Sequence, residues 1–202
     1  MLEKLTEMEK DALKEMANVA TGNATTLLSQ KTCSEVTLSV PICELISIDE
    51  LKTSAMIPKG ITLCALAELK GQLIGSVMLV FDPEDAFAMA DLLQKKKVGT
   101  TKWLSAIDQE AILDIGISLI RCYLKALSDF LDREMWAEEL KVFSILGDAV
   151  LDLLLINQDF ESPILVLRNE IALREFCKGK ITFIFFLHIK GALSLLRKAG
   201  LG

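Results

Sequence analysis

The chain has 202 residues, 51% hydrophobic and 25% charged, enough to bury a core as one large domain or two small ones, and it does not read as disordered. Its net charge of −6 argues against nucleic-acid binding, which needs clustered Lys and Arg; the one tight basic run, Lys95-Lys96-Lys97, falls where a linker is expected and reads as solvated. Mean hydropathy is high at +0.41, yet no apolar run reaches the roughly 18 residues that span a bilayer, so no membrane insertion is expected.

Met1 to Glu7 carries charges where a secretory leader needs an apolar run. The cysteines, at 33, 43, 64, 122 and 177, are odd in number and show no CxxC spacing, which suggests buried thiols in a reducing compartment. A cytoplasmic protein is expected. The single histidine, His188, lies inside an apolar run and reads as a core or strand-end residue. No group of His, Cys or carboxylates has metal-ligand spacing, so no metal site is expected.

In chain order, residues 4–29 read as a helix whose one internal breaker is Gly22. Glu35 to Val40 alternates as a strand and stops at Pro41, which cannot donate to a ladder. A short irregular or helical piece follows around Ile48 to Lys52. Ile61–Leu69 and Gln72–Phe81 read as two strands turning at Lys70-Gly71. Asp82-Pro83-Glu84 opens a helix through Gln94, with Asp82 as N-cap and Pro83 at the first helical position.

The second half repeats this order. Ser105 to Leu131 is a long helix with Ser105 and Asp108 as candidate caps, and a strand-like stretch near Ala137 to Phe143 leads to a helix at about Ile145 to Ile156. Pro163–Leu173 and Lys180–Ile189 form a hairpin turning at Lys178-Gly179, and a last helix covers about Ala192 to Lys198. The expected fold is α+β: a duplicated helix–strands–hairpin–helix unit in one mainly antiparallel sheet with helices packed on it. A single domain of two pseudo-symmetric repeats follows, about 1–98 and 102–202, because each unit alone would leave a sheet face bare.

On the first helix, Leu13, Met16, Ala17, Ala20, Ala24, Leu27 and Leu28 share one side and form the core face. Asp11, Glu15, Asn18 and Gly22 fall within roughly 60° of one another on nearly the opposite side. A solvated face is the plain explanation. However, Asn is a mediocre helix former and a mid-helix Gly costs about 1 kcal/mol against Ala. An exposed stripe holding both loses stability unless another backbone approaches there.

The pattern Asp11-x3-Glu15-x2-Asn18, with 22 residues between Asn18 and Pro41, resembles the signature of the CheC/CheX/FliY phosphatases of chemotaxis, and CheC above all. The text from Ala12 to Ala24 and Ser39-Val40-Pro41 also resemble CheC, and the resemblance extends over the duplication and the length. It implies hydrolysis of the phosphoaspartate of phosphorylated CheY. The regulator brings Mg²⁺ and a lysine, so no cofactor is expected on this chain. Asn18 would orient the attacking water, since an amide cannot act as a base near neutral pH. Glu15 would pair with the regulator's lysine, Asp11 would assist docking, Gly22 would admit the partner's backbone, and Pro41 would shape the turn beside the helix.

Setting Glu110 on Asp11 places the copies 99 residues apart, with Asp114 on Glu15, Ile117 on Asn18, Arg121 on Gly22 and Leu140 at the proline position. Ile cannot hydrogen-bond a water, so the second site reads as catalytically dead, or alternatively as a modified contact surface. CheC proteins also bind CheD, a receptor-modifying deamidase, and Leu146 to Asp152 resembles the segment implicated in that contact, with Asp152 as the candidate. The alternative to a phosphatase is a non-catalytic flagellar-switch or CheD-binding adaptor.

Overall fold

The computed structural model describes residues 5–54, 60–72, 74–138, 140–157, 163–173 and 180–188, with 191, 193, 194 and 197. Two long helices begin the two halves, α1 (Glu7–Thr32) and α4 (Ala106–Leu131), each of 26 residues. Their starts are built alike. Thr6 accepts from the amide of Glu9 while the Glu9 carboxylate accepts from the amide of Thr6, and Ser105 and Asp108 make the same reciprocal pair. Both helices end on a left-handed residue, Cys33 and Asp132. Start, end and caps of α4 therefore lie 99 positions after those of α1.

Each long helix is followed by two short strands and a helix: β1 (Val36–Leu38), β2 (Ile42–Ile46) and α2 (Ile48–Thr53), then β5 (Met135–Ala137), β6 (Lys141–Leu146) and α5 (Gly147–Asn157). A hairpin completes each half, β3 (Ile61–Gly71) with β4 (Gly75–Phe81), and β7 (Ile164–Leu173) with β8 (Ile181–His188); α3 (Pro83–Leu93) closes the first. Every strand pair is antiparallel, in one eight-stranded sheet of order β1-β7-β8-β4-β3-β5, with β2 also on β7 and β6 also on β3. The duplicated unit and the shared antiparallel sheet are those expected from the sequence.

Pairing crosses between the halves. β1 and β2 join the second half's hairpin, Val36 opposite Leu173 and Ile42 opposite Arg168, while β5 and β6 join the first half's β3. Side-chain alternation covers both faces. Leu63, Ala65, Val77, Leu79, Phe183 and Phe185 face α1, α3 and α4 in the larger core; Cys64, Leu66, Met78, Val80, Ile184 and Phe186 pack with Leu51 of α2 and Val150, Leu151 and Leu154 of α5. The chain thus forms three layers, with α1 and α4 together on one of the outer ones.

Several element limits differ from expectation. The strand from Glu35 to Val40 shrinks to β1, and β2 is an addition; Pro41 interrupts the ladder, but the chain resumes on the same partner strand. The stretch near Ala137 splits likewise into β5 and β6, and α5 starts later than Ile145. The first hairpin turns beyond Gly71 rather than at Lys70-Gly71. Gly71 continues β3 at φ +100°, where an added Cβ would come within 2.5 Å of the Glu134 carbonyl oxygen, so this glycine belongs to the approach of β5. Asp82 precedes α3 without a side-chain cap bond. The Lys178-Gly179 turn, Cys177 and most of the last helix lie outside the described residues.

The connection from α3 to α4 is fastened rather than free. Asp91, buried to 0% exposure, accepts from the backbone amides of Gly99, Thr100 and Thr101 and from the Thr101 hydroxyl. Lys96 of the basic run reaches the Asp108 carboxylate at 3.5 Å; Lys95 and Lys97 are exposed.

Candidate functional site

The core face of α1 is as the periodicity dictates. Leu13, Met16, Ala17, Ala20, Ala24 and Leu28 are buried against the sheet and α4, and the three alanines bring no bulk between the helices. On the outer side Asp11, Glu15 and Asn18 are exposed and Gly22 is partly so. At 1.5 Å of rise per residue the four span roughly 16 Å of helix. Among the described residues, the side chain of neither Glu15 nor Asn18 makes a hydrogen bond or an ion pair. An added Cβ on Gly22 would meet nothing within 4 Å, so packing inside this chain does not call for a glycine there.

The helix beneath this face is held by side chains. Thr21, the next turn after Asn18, donates its hydroxyl to the Ala17 carbonyl at 2.5 Å and accepts from the Asn169 side-chain amide of β7. Thr25 and Thr26 both donate to the Gly22 carbonyl, at 2.8 and 3.1 Å. Tyr123 of α4 is buried under the same turn, stacked on Phe185 with ring centroids 4.4 Å apart. Burial pushes its phenol well above the usual tyrosine range, against the smaller pull of the Thr21 hydroxyl nearby. The Tyr123 hydroxyl and Asn169 Oδ1 have no properly aligned hydrogen-bond partner among the described residues.

At the N-terminal end of the stripe, Lys10 pairs with Glu7 at 2.8 Å. That hydrogen bond holds the lysine above its ordinary range, with a smaller contribution from Asp11. Pro41 is buried between β1 and β2, which both touch α1. Beside it Ser39 donates its amide to the Glu170 carbonyl and accepts the Glu170 amide on its hydroxyl, each at 2.9 Å. Asp152 is exposed on α5, in the layer on the opposite side of the sheet, so it does not join the α1 group.

Sequence reasoning misses a set of exposed apolar side chains on α1 and on the edge strands. Val19 on α1 is 41% exposed, and Leu38, Val40 and Ile42 along the edge strands beside α1 are 44%, 80% and 42% exposed. Leu38, opposite Ile171, lies on the α1 side of the sheet, whereas Ile42, opposite Arg168, shares the other side with Ile46, so the break at Pro41 puts the two on opposite faces and no simple alternation announces them.

The second face is arranged differently. Glu110, Asp114 and Arg121 are exposed on α4 at the positions of Asp11, Glu15 and Gly22, while Ile117 is half-buried. A cleft of about 540 Å³ opens elsewhere, between Glu7, Lys10, Glu44 and Glu50, and includes none of the stripe residues. Among the described residues, no group of three or more His, Cys, Asp or Glu is placed to hold a metal ion, and no helix is long and apolar enough to cross a membrane. An exposed row of polar groups on a helix, outside that cleft, is suited to meeting another protein, not to enclosing a small molecule.

No family model matches the chain. Solved structures do resemble it. FliY of Thermotoga maritima is 20% identical over 98% of each chain, with a TM-score of 0.74. A chain of the FliG–FliM complex from H. pylori is 15% identical, covering 94% of this chain and 100% of that one, TM-score 0.69. The chemotaxis protein CheX of Desulfovibrio desulfuricans is 15% identical over 86% of this chain and 99% of that one, TM-score 0.59. The fold is therefore that of the CheC/CheX/FliY proteins, whose signature the sequence resembles, and it is shared by FliM.

Proposed function

We propose that this chain is a phosphatase of the CheC kind, which docks the α1 face on a phosphorylated CheY-type regulator and hydrolyses its phosphoaspartate. The observation that carries the reading is the pair Glu15 and Asn18. Both are exposed and without a partner among the described residues, one turn from a glycine that packing within the chain does not require.

The regulator's own Mg²⁺ and lysine would balance the charge of the phosphoryl group. What remains is to hold a water in line with the acyl-phosphate bond, a matter of position. Asn18 can accept from that water through Oδ1 and donate through Nδ2, and it takes no proton. Glu15, about one turn along, would pair with the lysine and set the register. Asp11 assists docking, and at Gly22 the partner's backbone can approach the helix. Pro41 keeps the β1–β2 break beside α1. Because strands of each half complete the other half's hairpin, the repeats 1–98 and 102–202 act as one domain.

The test is decay of phosphorylated CheY with and without the chain. Wild type should accelerate it, Asn18→Ala should return it to the intrinsic rate while still binding, and Glu15→Ala should weaken binding. Equal decay with wild type and Asn18→Ala would overturn the reading. A second reading, a switch or CheD adaptor, draws on the likeness to a chain of the FliG–FliM complex and on the exposed Leu38, Val40 and Ile42. It predicts binding without accelerated decay, and, for CheD, loss of binding in Asp152→Lys.

A further inference from the structure

The α4 face does not repeat the α1 face. Where α1 is polar and open at Asn18 and Gly22, a pocket of about 290 Å³ lies between α4 and β5, lined by Leu113, Ile117, Ile120, Ala137 and Leu140 with Arg121 and Glu138 at its polar edge. Ile117 stands in place of Asn18 and Leu140 in place of Pro41, so the positions that differ from the first copy also supply the apolar walls. Neither change alone explains a charged residue at Arg121.

Arg121 is exposed, and its side chain makes no ion pair or hydrogen bond among the described residues. Its helical neighbours one turn away, Ile117, Ser118, Leu124 and Lys125, offer no carboxylate, and Lys125 pairs instead with Asp129 at 3.1 Å. Asp114 lies two turns back, roughly 10 Å along the axis. Glu138, across the pocket, acts on Lys70. The result is a socket for one side chain with an uncommitted guanidinium beside it, the pairing that fixes planar carboxylates in two-point fashion.

We propose that this second face is a docking site for a partner protein segment that carries a branched apolar side chain next to a carboxylate. The apolar side chain enters the pocket between α4 and β5, and the carboxylate pairs with Arg121. The site is separate from the α1 face, so it does not depend on the phosphatase reading, and it would let one chain hold two proteins at once.

The capped dipeptide acetyl-Leu-Asp-amide, titrated into the whole chain with methyl groups observed by NMR, tests this. Saturable shifts at Leu113, Ile117, Ile120 and Leu140 are expected, with binding in the millimolar range, and acetyl-Leu-Asn-amide should bind about five-fold more weakly or worse. Arg121→Gln, an exposed change that should leave the fold intact, should erase the difference between the two peptides. Absence of saturable shifts overturns the proposal, as does equal binding of the two peptides to wild type. Tighter binding of isovalerate than of the dipeptide would make the pocket a site for small acids and would also overturn it. Phosphatase activity, measured beside these titrations, is expected to be unchanged in Arg121→Gln.

Discussion

The side-chain amide of Asn169, on β7 in the second half of the chain, donates to the hydroxyl of Thr21, three residues after Asn18 on α1. Both residues are 2% exposed. A strand from one repeat thus fixes the rotation of the helix that carries the candidate site of the other. Replacing Thr21 by Val keeps its shape but leaves the Asn169 donors buried and unmatched, which should cost about 1–3 kcal/mol in urea unfolding. Thr21→Ser should cost clearly less. If Val and Ser unfold alike, the hydrogen bond does not hold the helix.

Gly22 makes a prediction in which stability and function part. An added methyl group would meet nothing within 4 Å, so Gly22→Ala should fit and stabilise α1 by about 0.5–1 kcal/mol. That methyl stands on the outer face and should weaken regulator binding. A denaturation curve and a binding titration on the same sample check both signs. Tighter binding would remove the reason for the glycine.

Asp91 should be the costliest single carboxylate of the α3–α4 connection. Asp91→Ala strips three backbone amides and the Thr101 hydroxyl of their shared acceptor in a buried place, and a loss of about 2–4 kcal/mol is expected. Asp91→Asn should keep part of it. Hydrogen exchange at Gly99, Thr100 and Thr101 should quicken in both.

Acid should loosen the starts of both long helices together. Bonds from Ser105 hold the Asp108 carboxyl below the usual aspartate range, against the opposing effect of burial, and bonds from Thr6 do the same for Glu9. A carboxyl depressed in the folded state adds stability that is present above its unfolded value, roughly pH 4, and is lost as pH falls through the folded value. Unfolding free energy should therefore drop from about pH 4 downward. In Asp108→Asn it should be lower at neutral pH and fall less steeply in acid; an unchanged slope would count against the cap.

The sequence is a good guide wherever a rule is local. Periodicity yields α1 and its two faces, from Leu13 to Leu28 inward and Asp11 to Gly22 outward, because 3.6 residues per turn sort side chains before any tertiary contact exists. Ser105 and Asp108 announce the start of α4, and the 99-residue spacing announces the repeat. Local rules fail at β2 and at the turn after Gly71. Proline at 41 marks a break in a ladder, and only the partner strand decides whether pairing resumes beyond it.

Which residues belong to the face was therefore determined by the sequence, through helical geometry and composition. The tertiary structure alone decided that β1 and β2 complete the other half's hairpin, that Asn169 meets Thr21, and that Ile117 and Leu140 close a pocket while Asn18 stays open to solvent. The first two depend on contacts between segments more than a hundred residues apart, such as Thr21 and Asn169, and the pocket depends on how α4 meets the strand region that follows it; no local rule of spacing or propensity supplies either.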